Sequence, residues 1–451
     1  MVRGGFRFWS HGITGRGAAR AGKWADSAPK HAVTRKSRTG DAVTAVPANA
    51  ADNAGIDSVY AWTRLGISLL LATIGGVGMW AVVVVLPAVQ AEFGVDRAAA
   101  SMPYTATMVG FAAGNVLVGR AIDRVGYWIP ALVSSIALVA GFGLASLSTS
   151  IVQFTLAQGI LIGAGTSAIF GPLIADISHW FNRRRGVAVA TAAAGSYLAG
   201  TVWPTIITPL MKAEGWRFTY VAIGIACLVT MVPLVLMLRR GAPAVVSGSP
   251  GARLVQPISL SPTALQVLLV IAGLGCCVAM SMPQVHIVAY CMDLGYGVAH
   301  GADMLSIMMA AGVVSRLASG FIADRIGGVR TLLIGSVLQC LSLFFYIPFD
   351  GLASLYVVSL VFGLSQGGIV PCYAIIVREY MPAKEAGQRV GIVIMATIFG
   401  MAIGGWMSGW IYDLTGSYSA AFLNGIAWNL LNIIAMVLVF WKARRSGVVT
   451  V

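Results

Sequence analysis

The chain has 451 residues, is 58% hydrophobic but only 10% charged, and has a mean hydropathy of +0.83. A soluble domain of this length needs far more charge to cover its surface, so composition excludes an ordinary globular fold and indicates a polytopic membrane protein. The net charge of +14 sits in short clusters between apolar runs rather than on one face, so it reports topology and not a nucleic-acid partner.

Residues 1–60 are rich in Arg, Ser, Ala and Gly and include "KHAVTRKSRTGDAV". With no periodic apolar face they cannot bury enough surface to offset chain entropy, which predicts a disordered basic cytosolic tail. The first long apolar run begins after Arg64 and is long enough to span a bilayer, which argues against a secretory signal. A transit peptide or a misassigned start stays open for this segment.

Twelve candidate helices follow, at 65–87, 99–119, 129–148, 152–175, 187–209, 218–238, 264–288, 302–323, 331–348, 354–377, 390–411 and 419–441. Each has about the length that a ~30 Å hydrocarbon core requires. Of the 30 Lys and Arg, three (Arg97, Lys212, Arg217) fall in loops on the side away from the termini and one, Arg316, falls inside a span. The rest lie on the side of the termini, which places both termini in the cytosol, in a bacterial inner membrane.

The chain repeats itself. "GRAIDRVG" (119–126) recurs as "GFIADRIG" (320–327), 201 residues later, and Pro172 matches Pro371, 199 residues later. Two landmarks that agree on about 200 residues indicate two six-helix bundles, at 61–238 and 263–442. The Gly/Pro/Ser-rich stretch 239–262 is the cytosolic linker and 443–451 a short tail. The fold class expected is an all-α membrane protein, with twelve helices in two pseudo-symmetric halves around a central cavity.

Several short stretches, each unspecific alone, stand in a fixed order along the chain. They are the two G-x-x-x-D-R-x-G loops, "WFNRRRG" (180–186), "GWRFTY" (215–220) and "GWIYDLTGSYSAAF" (409–422). Together they resemble the major facilitator superfamily, over about residues 60–445, which implies alternating access between two rocking bundles. "PQVHIVAYCMDLGYG" (283–297) and the arginine in the eighth span resemble the prokaryotic relatives of the monocarboxylate transporters and the oxalate:formate antiporter. That resemblance implies that Arg316 pairs with a substrate carboxylate. The antiporter's second cation, a lysine in span eleven, is absent here, which fits a monoanion better than a dicarboxylate.

Arg316 also invites two plainer readings. Snorkelling to the cytosolic interface is disfavoured because Arg316 lies eight residues before Asp324, roughly 12 Å along a helix. A structural ion pair needs a buried carboxylate, and Asp176, Asp293, Asp303 and Asp413 all fall at span ends. A guanidinium in hydrocarbon without an internal counter-ion fits a substrate carboxylate, which its planar fork can hold through two hydrogen bonds. His286, in the outer part of span seven, is either a packing histidine or a proton-coupling group.

In the resembled superfamily the G-x-x-x-D-R-x-G loop latches the two halves in the outward-open state, which implies a gate at Asp123, Arg124, Asp324 and Arg325; chemically, a carboxylate there can cap a neighbouring helix and hold an arginine across the seam. In the resembled superfamily spans one, four, seven and ten line the cavity. Trp80, Phe170, Gln366 and Tyr373 are therefore candidate pocket residues beside the packing role that such residues usually have, with the Tyr373 hydroxyl placed to assist Arg316.

The six cysteines have no C-x-x-C or His cluster, so neither a metal nor a cofactor is expected. No phosphate-binding loop and no nucleophile–base pair appears, which argues against ATP drive and against an enzyme. The leading expectation is a secondary transporter of a small organic anion, most simply a monocarboxylate, by proton symport or exchange. A drug or metabolite exporter is the alternative. The arginine such exporters carry before a Q-G pair in span four is replaced by Thr155, and their glycine-proline motif in span five is missing. A non-transporting sensor using the basic tail is a third reading.

Overall fold

The computed structural model describes residues 55–181, 183–241, 258–382 and 385–445. Of the expected tail (1–60) only 55–60 are described, and of the expected linker (239–262) only 239–241 and 258–262; the rest of both lies outside the described residues. Among those described, regular structure is entirely helical, with eleven stretches long and apolar enough to cross a membrane. One of them, Gly186–Met237, has 52 residues, about 78 Å, far beyond one crossing. Its backbone leaves the helical region at Gly215, with φ 80° and ψ 168°.

Divided there, the described residues form twelve helical stretches of about crossing length. These are α1 (Val59–Phe93), α2 (Arg97–Val125), α3 (Trp128–Ser146), α4 (Ile151–Trp180), α5 (185–214), α6 (216–237), α7 (Pro262–Asp293), α8 (Val298–Ile326), α9 (Gly328–Phe345), α10 (Leu352–Tyr380), α11 (Ala386–Thr415) and α12 (Tyr418–Arg445). Side-chain caps start several of them. Ser58, Asp96, Ser150 and Ser261 accept from the backbone N–H three residues on, at 3.2, 2.7, 3.3 and 3.1 Å, satisfying donors that the first turn leaves open.

The first helix starts earlier than the hydropathy predicts and takes in Arg64. That charge is tolerated because it is fully partnered. The guanidinium donates to both Asp176 carboxylate oxygens at 2.9 and 3.0 Å and to the Leu238 and Arg240 carbonyls, and it lies 4.7 Å from the Trp180 ring centre. The ends of α1, α4 and α6 are thereby tied together.

The repeat is structural. Gly126 and Gly327, the last glycines of the two matching loops, take φ 79° and 85° and return their N–H groups to Ile122 and Ala323 at 2.9 Å. Only glycine adopts that conformation freely, so both copies stop their helix the same way. α4 and α10 are both broken just before the matched prolines. In α4 a π-helical turn (Ala157–Gly163) precedes a break at Phe170, and in α10 the break falls between Gln366 and Ile369. Such interruptions recur at functional sites of membrane helices.

Two seams join the halves, α2 against α11 and α5 against α8. The face carrying Arg120, Arg124, Arg183, Arg239, Arg325, Arg378 and Lys442 is called the basic face below. Arg97, Lys212 and Arg217 lie on the opposite face.

Candidate functional site

A cavity of about 1230 Å³ opens at the basic face between the halves. Its wall includes Ala112, Asn115 and Arg120 of α2, Phe170 and Ile174 of α4, Val189 of α5, Arg378 of α10, and Gln388, Met395 and Ile398 of α11. Of the four spans expected to line it, the fourth and the tenth do. α1 and α7 contribute no lining residue, because they are buried against their neighbours. The α2–α11 seam has instead parted on the basic side.

On the opposite side that seam is shut. The Asp413 carboxylate accepts from the N–H groups of Arg97 and Ala98 at 2.9 and 2.6 Å, capping the start of α2 from the end of α11. Arg97 donates to both oxygens of Asp293 and to the Tyr418 hydroxyl at 3.0 Å. Thr105 donates to the Ala402 carbonyl, and Gly405 leaves room for the Tyr104 ring against α11.

His286 belongs to this seal. A carbonyl only accepts, so the 2.7 Å contact with the Gly405 oxygen puts the proton on Nε2. Nδ1 is then the acceptor for the Tyr418 hydroxyl at 3.2 Å. A chain of donors runs from Arg97 through Tyr418 and His286 to Gly405. Sequence reasoning counted Arg97 as one loop cation; the signal available for its role was the Y-D pair at 412–413 and the lone Asp293, placed 316 and 196 residues away.

Arg316 lies at the other seam and is 9% exposed. Nε donates to the Gly367 carbonyl of its own half at 3.3 Å, and Nη1 to the Ala193 carbonyl of the other half at 3.0 Å. The guanidinium carbon stands 4.2 Å from the Tyr197 ring centre on α5. Gly312, one turn earlier on α8, makes room for that ring. Among the described residues no carboxylate is hydrogen-bonded to Arg316, so its charge is met by neutral dipoles and a π face but not cancelled. It does not line the cavity, although Val189, one turn from Ala193 on α5, does.

The other candidates separate. Trp80 donates to the Ser196 carbonyl at 3.0 Å, one turn from the carbonyl that Arg316 holds, so both lean on α5. Phe170 lines the cavity at the α4 break and packs on Phe111 at 5.8 Å. Gln366 accepts from Gln284 at 2.6 Å inside the second half, and the free amide end of each is buried without a partner. Tyr373 turns its hydroxyl to Asn432 at 3.2 Å rather than to Arg316, because Asn432 offers a buried acceptor on α12.

At the basic face Arg124, Asp324 and Arg325 are exposed and make no ion pair among the described residues; the Asp123 side chain lies outside them. The cap expected from Asp324 is supplied by Glu379, whose carboxylate accepts from Gly328 at the start of α9, both oxygens at 3.3 Å. Among the described residues no group of His, Cys, Asp and Glu could hold a metal ion.

The family profile described as Major Facilitator Superfamily matches residues 68–362 and 301–449. Monocarboxylate transporter 13 of Bos taurus is 28% identical over 65% of this chain and 69% of its own length. The MFS transporter asaE of Aspergillus flavus is 28% identical over 63% and 64%, and the Fujikurins efflux protein of Gibberella fujikuroi 27% over 65% and 65%. The alignments thus span about two thirds of the curated relatives. Among solved structures, a bacterial homologue of the lysosomal transporter Spinster, inward-facing and occupied, has a TM-score of 0.67 at 14% identity, covering 86% of this chain and 98% of that one. The nucleoside transporter NupG gives 0.66 at 14% identity, over 83% and 100%.

Proposed function

The chain belongs to the Major Facilitator Superfamily, and from that premise we propose that it is a secondary transporter of a small organic anion, most simply a monocarboxylate. The observation that carries this reading is Arg316, a cation buried at the α5–α8 seam that has neutral partners only. Keeping an uncancelled guanidinium there is costly, and an arriving carboxylate would relieve that cost through a bidentate pair. The monocarboxylate transporters among the relatives agree with the substrate class.

In this reading the described conformation is open at the basic face, which the charge asymmetry makes cytosolic in a bacterial inner membrane. Arg316 takes the carboxylate at the α5–α8 seam, one turn of α5 beyond the cavity wall at Val189, with Trp80, Phe170, Gln366 and Tyr373 shaping the surrounding helices. The loops holding Asp123, Arg124, Asp324 and Arg325 latch the basic face in the other state. Proton coupling runs through His286. A proton at Nδ1 replaces an acceptor by a donor, makes the Tyr418 hydroxyl accept from both His286 and Arg97, and adds a second positive charge beside Arg97, which loosens the seal and links binding to opening of the opposite face.

A second reading, export of a larger organic acid, is favoured by the cavity volume, which exceeds the needs of a small monocarboxylate, and by the efflux protein among the relatives. One experiment tests both. Counterflow of radiolabelled monocarboxylates and aromatic acids into proteoliposomes, with and without a pH gradient, is expected to show saturable exchange that Arg316→Gln abolishes. Normal counterflow by that variant would remove Arg316 from the site, and exchange of bulky acids alone would favour export.

A further inference from the structure

The wall of the cavity carries charge of one sign. Arg120 on α2, in the first half, and Arg378 on α10, in the second, both line it, and no Asp or Glu does so among the described residues. Both arginines are exposed, and neither makes a side-chain hydrogen bond or ion pair there. The carboxylate next to Arg378 in the chain, Glu379, is turned to the start of α9. The surrounding wall is apolar, with Ala112, Val116, Ile174, Met395 and Ile398.

Cations that serve only to set topology belong on loops in open water. These two stand instead on a cavity that is sealed at its far end, where low-dielectric walls concentrate their field and raise the local concentration of anions. Their depth is also informative. Asn115, on the same wall, is the repeat counterpart of Arg316, 201 residues apart. Arg120 lies five residues further along α2, roughly 7–8 Å nearer the basic face at 1.5 Å per residue.

We propose that Arg120 and Arg378 form an anion-receiving vestibule, a second and weaker site for a small carboxylate between bulk water at the basic face and Arg316. The two halves contribute one cation each, so the vestibule exists as a pair only while the halves stand as they do in this conformation. When the basic face closes, the pair is reorganised and the anion is left to Arg316. This inference rests on the reading of the protein as an anion transporter.

The test needs a readout that does not depend on the substrate. Asn115→Cys places a thiol on the cavity wall, and its modification rates by anionic sulfonatoethyl and cationic trimethylammonioethyl methanethiosulfonate are compared in neutral phosphatidylcholine vesicles. The chain without the added thiol supplies the baseline, since five of its cysteines are buried and Cys340 is half-buried. The anionic reagent is expected to be favoured by about tenfold relative to free cysteine, less at high salt, and the preference is expected to vanish on adding Arg120→Gln and Arg378→Gln. A preference unchanged by the two substitutions overturns the vestibule.

In transport, the double variant is expected to raise KM several-fold for carboxylate entering at the basic face and to leave KM at the opposite face unchanged. An equal rise at both faces, or none, overturns the assignment to the substrate path. If the unaltered chain moves no carboxylate, the transport reading has failed, and the reagent rates still decide whether the anion site exists.

Discussion

Arg97, the first residue of α2, holds Asp293, the last residue of α7, through two hydrogen bonds of 3.2 and 3.1 Å across the junction of the halves. The pair is part-buried, with 8% and 29% side-chain exposure, so it is screened less than a surface pair. Charge-assisted bonds of this kind contribute about 1.5–3 kcal/mol, roughly tenfold to a hundredfold in the ratio of sealed to open forms. Asp293→Asn is therefore expected to shift the protein toward opening at the opposite face. The check is the labelling rate of a cysteine at Gln90, which lines the groove beside Arg97; an unchanged rate would show that the Asp413 cap alone keeps the seal.

His286 separates coupling from packing. His286→Gln retains a buried amide that can bond to Gly405 or Tyr418 but cannot gain a proton at neutral pH. Uptake driven by a pH gradient is expected to fall at least tenfold, while counterflow, which needs no net proton movement, stays near its original rate. If gradient-driven uptake survives alongside counterflow, His286 is a packing residue, and coupling lies elsewhere or the protein is an exchanger.

The Arg64–Asp176 pair bears on stability rather than on transport. It is buried from both sides, at 1% and 5% side-chain exposure. Asp176→Asn would leave a guanidinium without its counter-charge, a loss of about 3–5 kcal/mol. The variant is expected to lower the melting temperature in detergent sharply. The double variant Arg64→Met/Asp176→Leu is expected to recover much of the loss, since it removes the desolvated charge along with its partner. Equal melting points for the single and double variants would mean that the carbonyls of Leu238 and Arg240 suffice to hold Arg64.

The fold was legible because its signals are local or repeated. Apolar runs gave the spans, with the break at Gly215 falling between those expected at 187–209 and 218–238, and the copies ending at Gly126 and Gly327 gave the two halves; the start of α1, which takes in Arg64, was hidden because its counter-charge lies 112 residues away. The candidate residues could be named from the sequence, but not their arrangement. Arg316 stands out in the sequence because a charge in an apolar run is conspicuous whatever packs beside it. Its partners, Ala193, Tyr197 and Gly367, do not, because a backbone carbonyl bond leaves no mark on residue type. Gln366 and Tyr373 carry the same composition signal whether they face a cavity or a neighbouring helix, and the structure gives them Gln284 and Asn432. Arg97 and Asp293 look like loop charges until the chain brings positions 196 residues apart together.

Arg316 itself yields the sharpest prediction, since its three contacts ask for different substitutions. Arg316→Lys keeps the charge but loses the planar fork, so it can satisfy one carbonyl or one carboxylate oxygen where the guanidinium spans two. Tyr197→Leu keeps the fork and removes the ring 4.2 Å away, a contact worth about 0.5–2 kcal/mol. If the guanidinium binds substrate, Lys is expected to lower kcat/KM on the order of a hundredfold, while Tyr197→Leu, which leaves the bond to the Ala193 carbonyl in place, changes KM by tenfold or less. If Arg316 serves only to tie α5 to α8, both variants weaken the same tie. They would then shift conformation together, seen as matched increases in cysteine labelling near Ala193, without a selective loss for carboxylates over neutral analogues.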